Sequence, residues 1–270
     1  MFALALPEYT LSLEQYFLVY NALSFVIASF LAAFVFFLAV RGQLSEKYRG
    51  AMIVSALVVG IAAYHYLRIF ASFEHAWTFN GTVYVASGLF NDAYRYVDWL
   101  LTVPLLMVEL VAVLAVSGAM KSKLLFRLSF AAALMVILGY PGEVSNDTTT
   151  RLIWGSLSTI PFLYILYVLW IQLGATIAQE AGHVRILLRN TRLLLLATWG
   201  FYPIAYLFPV IGFTGADAMV AVQLGYSIAD VLAKALYGVM IYAIAREKTK
   251  LEMAGAPATN AAAPHPQPAH

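Results

Sequence analysis

Apolar residues run through this chain in long blocks separated by short polar connections. Crossing the hydrocarbon layer of a bilayer takes about 20 apolar residues in a helix. Seven blocks reach that scale, roughly 12–40, 50–71, 93–117, 124–141, 151–174, 191–210 and 219–245, the fourth being the shortest. The pattern predicts an all-α integral membrane protein, a seven-transmembrane-helix bundle contained within residues 1–250. Residues 251–270, "LEMAGAPATNAAAPHPQPAH", are rich in Ala and Pro without periodicity and predict a disordered tail.

The polar connections give the bundle a direction. Arg41, Lys47 and Arg49 fall between the first two blocks, Lys121, Lys123 and Arg127 between the third and fourth, and Arg185 and Arg189 between the fifth and sixth. Arg246, Lys248 and Lys250 follow the seventh. The alternate connections carry Glu74, Glu143, Asp147 and Asp217 with almost no Lys or Arg. Because positive loops stay in the cytoplasm, the N-terminus is expected outside and the C-terminus inside.

Composition narrows the function classes. The chain is 62% hydrophobic and 11% charged, where soluble domains carry about a quarter charged residues. It has no cysteine, which removes disulfides and thiol-ligated metals. A net charge of +2 does not suggest nucleic acid, and there is neither a Gly-rich phosphate loop nor HExxH. The five histidines lack metal-ligand spacing; His75 and His183 are expected in loops, and His265 and His270 lie in the tail. No Lys or Arg precedes the first apolar block, so no secretory signal is expected.

Charges inside the blocks change the picture most, since a charge at mid-membrane costs at least a few kcal/mol and such residues usually mark an ion or proton path. The third block, "DAYRYVDWLLTVPLLMVELVAVL", holds Arg95, Asp98 and Glu109. Asp98 and Glu109 are eleven residues apart, so they share one helix face about 16 Å apart along the axis. Thr102 and Arg95 lie one turn from Asp98, inward and outward respectively. His65 in the second block lies at about the depth of Asp98, although a lone histidine is more often an interior hydrogen-bonding residue.

In the seventh block, "SIADVLAKALYG", Asp230 and Lys234 stand four residues apart on one face, with Lys234 too deep to snorkel. This is either a structural ion pair or an amine that forms a Schiff base with an aldehyde. A buried cation needs a counter-ion, which Asp98 or Asp230 can supply. Glu109 has no charged partner nearby and is expected to rest protonated, as a donor. From cytoplasm to outside the order is Glu109, Lys234, Asp98, Arg95. Aromatic residues Trp199, Tyr202 and Tyr206 share a face in "WGFYPIAY", as packing or as the wall of a chromophore site. Pro104, Pro161 and Pro203 fall inside blocks, where neighbouring helices tolerate them.

Along nearly its whole length the chain resembles the microbial rhodopsins, on "RYVDWLLTVP", "WGFYPIAY" and "DVLAK". The resemblance implies all-trans-retinal bound to Lys234 as a protonated Schiff base, Asp98 as primary proton acceptor and Asp230 as second counter-ion. It implies a pocket from Trp99, Leu106, Met135, Gly139, Trp199, Tyr202 and Tyr206, with Tyr66 bonded to the Asp230 carboxylate. Leu106 matches a colour-tuning site where leucine accompanies green absorption. Asp98, Thr102 and Glu109 look like the triplet of bacterial outward proton pumps. "YHYLRIF", "LGYPGEVSND" and "RLIWGSLSTIPFLYILYVLW" resemble the xanthorhodopsin and Gloeobacter-type branch, in which His65 matches the histidine bonded to the acceptor. The outer glutamate pair of archaeal pumps is replaced here by Ile211 and Val222.

After Trp154 many members of the family carry a second bulky residue against the retinal ring, whereas this chain has Gly155. In the xanthorhodopsin branch a glycine there opens a window for a carotenoid (xanthophyll) antenna; the alternative is a small residue that lets helices pack closely. The implied protein is a light-driven outward proton pump of the plasma membrane, an ion transporter and not an enzyme, whose partners are membrane lipid, protons and further copies in a pentamer or trimer. Two alternatives stand beside it: a photosensor signalling through a partner, and a seven-helix receptor or transporter without chromophore.

Overall fold

A computed structural model describes residues 6–114, 118–145, 147–180 and 182–255. Seven helical rods are present among the described residues: α1 (Leu13–Val40), α2 (Glu46–Ala76), α3 (Tyr94–Val113), α4 (Gly118–Glu143), α5 (Thr148–Gln179), α6 (Gly182–Tyr206) and α7 (Gly215–Met253). Two rods contain a π-helical turn, Val168–Gln172 in α5 and Val231–Leu236 in α7. Successive helices pack side by side, and α7 closes the ring between α6 and α1 while its second half leans on α2 and α3.

Local signals set the ends. Ser12 and Gln15 form a reciprocal cap on α1: Gln15 N–H donates to Ser12 Oγ, and Ser12 N–H donates to the Gln15 side chain. Asp147 caps α5 by accepting from Thr150 N–H at 2.7 Å, and its hydrogen bonds to Thr150 hold this exposed carboxyl below the usual aspartate range. The α2–α3 connection is a hairpin, β1 (Trp77–Phe79) antiparallel to β2 (Tyr84–Ala86). Its turn is closed by the Asn80 side chain, which accepts from Thr82 and Val83 N–H, with Gly81 at φ 100°. Leu11 adds one further bridge to Tyr84, so chain before α1 and the hairpin together cover the outer end.

Each rod turns one face inward. In α3 that face includes Arg95, Asp98, Thr102 and Glu109, all buried, so the charged stripe points into the bundle and Val97, Leu100 and Leu101 point out. Six of the rods are long and apolar enough to cross a membrane by length and composition. α6 falls short of that measure and starts nine residues before the apolar block predicted at 191. Arg185, Arg189 and Arg192 depress its hydropathy, but Val184, Leu188, Thr191, Leu195 and Thr198 form one continuous buried face. His75 and His183, expected in loops, fall in the last turn of α2 and the first turn of α6. α7 runs to Met253, past the expected start of the tail at 251; residues 256–270 of that tail lie outside the described residues.

Candidate functional site

The buried ion cluster is assembled by α3 and α7. Lys234, on the π-helical turn of α7, is 2% exposed. Its Nζ donates to Asp230 Oδ1 at 2.5 Å and lies 2.9 Å from Asp98 Oδ2. The two carboxylates differ in what else touches them. Asp230 also accepts from Tyr66 Oη at 2.7 Å, Tyr202 Oη at 2.5 Å and Trp99 Nε1 at 3.1 Å. Asp98 has only the ion pair, set off the hydrogen-bonding direction, so both of its oxygens lack a hydrogen-bond partner among the described residues. Asp230 is therefore a saturated acceptor, while Asp98 has lone pairs to spare.

Of the three predicted neighbours of Asp98, His65 stands differently from expectation. His65 is buried but makes no hydrogen bond to Asp98: its Nδ1 faces the Ile61 carbonyl at 2.9 Å, one turn back on its own helix. That local bond occupies Nδ1. Thr102 Oγ1 likewise donates to the backbone carbonyl of Asp98 at 2.8 Å, not to its carboxylate. Arg95 Nη1 lies 3.7 Å from Asp92, with the guanidinium over the rings of Tyr66 and Tyr226 at 5.5 and 5.6 Å. Asp92 in turn accepts from Gln223 Nε2 at 3.0 Å.

Glu109 stands apart from this cluster and is fully buried. Ser55 Oγ donates to its Oε2 at 2.9 Å, and Oε1 has no hydrogen-bond partner among the described residues. Nothing in the sequence flagged Ser55, a small polar residue in an apolar block. Tyr237, one turn along α7 from Lys234, donates to the Leu106 carbonyl at 3.1 Å and so ties the two helices between the lysine and Glu109.

Beside Lys234 lies a cavity of about 290 Å³. Trp99, Leu106, Met135, Gly139, Gly155, Trp199, Tyr202 and Tyr206 all line it; Tyr66 does not, being turned to Asp230. Tyr96, Phe162 and Tyr226 extend the aromatic wall beyond the predicted set. A Cβ on Gly139 would meet Ser158 Oγ at 3.3 Å, so this glycine lets α4 approach α5. A Cβ on Gly155 would come within 2.6 Å of the Tyr206 ring, which packs directly on that glycine. Arg151 locks the ring: Tyr206 Oη donates to the Arg151 carbonyl at 2.8 Å, and Arg151 Nη1 donates to the Tyr206 carbonyl at 3.1 Å. Leu152, 43% exposed, also lines the cavity, which therefore reaches the outer surface beside Gly155. No cluster of His, Asp and Glu suited to a metal ion occurs among the described residues.

Fold and site together define a seven-helix membrane protein whose interior lysine, flanked by two unequal carboxylates, faces a mostly apolar cavity. The chain belongs to the bacteriorhodopsin-like family, which it matches over residues 18–248. It is 30% identical over 231 residues to green-light absorbing proteorhodopsin from Gamma-proteobacterium EBAC31A08, covering 84% of this chain and 86% of that protein. Among solved structures it is similar to xanthorhodopsin, described as a light-driven ion pump with dual chromophore, with 55% identity and a TM-score of 0.88 over 92% of this chain and 99% of the other. Thermophilic rhodopsin matches with 50% identity and the same TM-score and coverage. The protein is thus a xanthorhodopsin-like microbial rhodopsin of the light-driven pump family, a multi-pass protein of a bacterial membrane and a transporter in kind.

Proposed function

We propose that the protein is a light-driven outward proton pump that carries all-trans-retinal on Lys234. The inequality of the two aspartates carries the proposal. Asp230, held by Tyr66, Tyr202, Trp99 and Lys234, is the fixed counter-ion; Asp98, with free lone pairs 2.9 Å from Nζ, is the acceptor. The residues fit the cofactor: a buried primary amine opens on an aromatic-lined cavity, so Lys234 would hold the aldehyde carbon while Trp99, Trp199, Tyr202, Leu106 and Met135 would enclose the polyene. Retinal supplies light absorption and a change of shape that redirects the proton on Nζ.

The remaining steps belong to the chain. Asp98 takes the proton from Nζ of Lys234 toward the outside, and Arg95, 3.7 Å from Asp92, lies one turn further out on the same helix. Glu109, on the cytoplasmic side by the loop charges, returns a proton to Nζ. Its burial keeps bulk water from short-circuiting the path. Lifting one charge against the membrane potential takes about 2.3 kcal/mol per 100 mV, small beside a visible photon. Gly155 leaves the cavity wall without a side chain where it meets the surface, and the dual chromophore of xanthorhodopsin supports a second pigment here. We assign a carotenoid antenna to this face, against Gly155 and Tyr206.

The test is the pH of an unbuffered suspension of cells expressing the chain with retinal, under green light. Acidification that a protonophore abolishes is expected, with no visible band and no acidification for Lys234→Ala. A visible band without any pH change would sink the pump.

A further inference from the structure

A second buried ion pair lies far from the first. Lys248 Nζ donates to Glu180 Oε1 at 2.5 Å, with side-chain exposures of 2% and 0%. Glu180 sits in the connection between α5 and α6, and Lys248 in the last turns of α7. The second oxygen of Glu180 has no hydrogen-bond partner among the described residues. Other ties at this end of α7 are nearer the surface: Glu252 pairs with Lys47 and accepts from Ser45 and Tyr48 of the α1–α2 connection and the start of α2, and Lys250 meets Glu247. Lys47 and Lys250 are more than half exposed, so water screens those pairs. Glu180–Lys248 is the dry one.

Its position follows from the helix period. Lys234, Tyr237, Ile241, Ile244 and Lys248 recur at steps of three and four along α7, and all are buried. From Lys248 inward to Tyr237 this face spans about 16 Å, and the two side chains between are isoleucines. No polar side chain on the stripe can pass a proton there. Glu109, beyond Tyr237, is fully buried. A donor that is spent in each turnover has to be refilled, so the plug has to open.

We infer that the Glu180–Lys248 pair is the cytoplasmic latch that closes the path by which Glu109 is refilled. The inference rests on Glu109 as donor. A buried ion pair favours two states, closed and dry or separated and hydrated, because half-separated charges in apolar surroundings are costly. Separating the α5–α6 connection from α7 exposes both charges and the isoleucines beneath them to cytoplasmic water. Glu180 and Lys248 act through this packing and touch no reacting atom, so they are positioning residues.

Two measurements on the retinal-loaded full chain in nanodiscs test this. Flash-induced proton uptake, followed with a pH-indicator dye, is expected to quicken by at least about threefold in Glu180→Gln and in Lys248→Met. Lys248→Arg and the exchange Glu180→Lys with Lys248→Glu are expected to keep the parent rate. The visible band reports folding for each variant. Because the chain has no cysteine, Ile244→Cys places one thiol a turn beneath the latch. Its labelling in the dark by a small charged thiol reagent is expected to accelerate when Glu180→Gln is added. Unchanged labelling with the band intact overturns the latch whether or not protons are pumped. Accelerated labelling in a chain that takes up no protons upholds the latch as a closure and removes the donor reading instead.

Discussion

Lys234 touches two aspartates, and the neighbours of those aspartates divide the labour between them. Tyr66, Tyr202 and Trp99 spend their donors on Asp230, which leaves the Asp98 oxygens without a hydrogen-bond donor among the described residues, as the proposed acceptor requires. Glu109 lies on the opposite side, and the donor role proposed for it has a direct kinetic signature. In Glu109→Gln the proton for Nζ has to come from bulk water, so recovery after a flash should slow by about tenfold for each unit of rising pH, by mass action on the proton. The parent chain should show a much flatter dependence, and equal pH slopes would remove Glu109 from the path. Most of this site was legible in the residues, because charges in apolar blocks announce themselves and fixed helical steps align Asp230 with Lys234 and Asp98 with Glu109. What escaped were contacts made by ordinary-looking residues. Ser55 gives no sequence signal, and the resemblance implied His65 on Asp98 where depth alone cannot say which way a ring nitrogen turns.

Among the helices, the seam between α5 and α6 departs furthest from expectation. A small residue at 155 reads from sequence as a gap; in the structure the Tyr206 ring fills the volume that a side chain there would need, clamped by reciprocal bonds with Arg151. Both observations can hold at once, since the glycine removes bulk from the cavity wall and the tyrosine offers a flat aromatic face beside it. Gly155→Trp should therefore push Tyr206 off α5 and eliminate carotenoid-sensitised excitation while the retinal band persists. An excitation spectrum recorded with added carotenoid decides it, and undiminished sensitisation would rule out this face. The π-helical turns were also hidden, because an extra residue in a turn leaves hydropathy unchanged. One of them carries Lys234, and such turns often occur at functional sites. At the other, Arg192 of α6 donates to the Leu169 carbonyl at 3.2 Å and lies 4.6 Å over Trp170. That contact gives a reason for an arginine within an otherwise apolar stretch of α6.

For the molecule as a whole, the direction of transport depends on which end faces the cytoplasm. The site itself is a line with two unlike ends: Asp98 and Arg95 toward the hairpin that follows α2, and Glu109 toward the end where α7 terminates. Turned over in the membrane, the same line would carry protons inward. Orientation is set by short connections, and here Lys and Arg crowd the connections at the α7 end while the hairpin end is nearly free of them. An epitope tag fused after His270 should therefore resist added protease in intact spheroplasts and be cut in inverted membrane vesicles. If the tag is cut in intact spheroplasts while illumination still acidifies the medium, Asp98 cannot be the outward acceptor, because Glu109 would then face the outside. Tag protection together with acidification is the combination that this arrangement of charges requires, since only then do the loop charges and the polarity of the buried line agree.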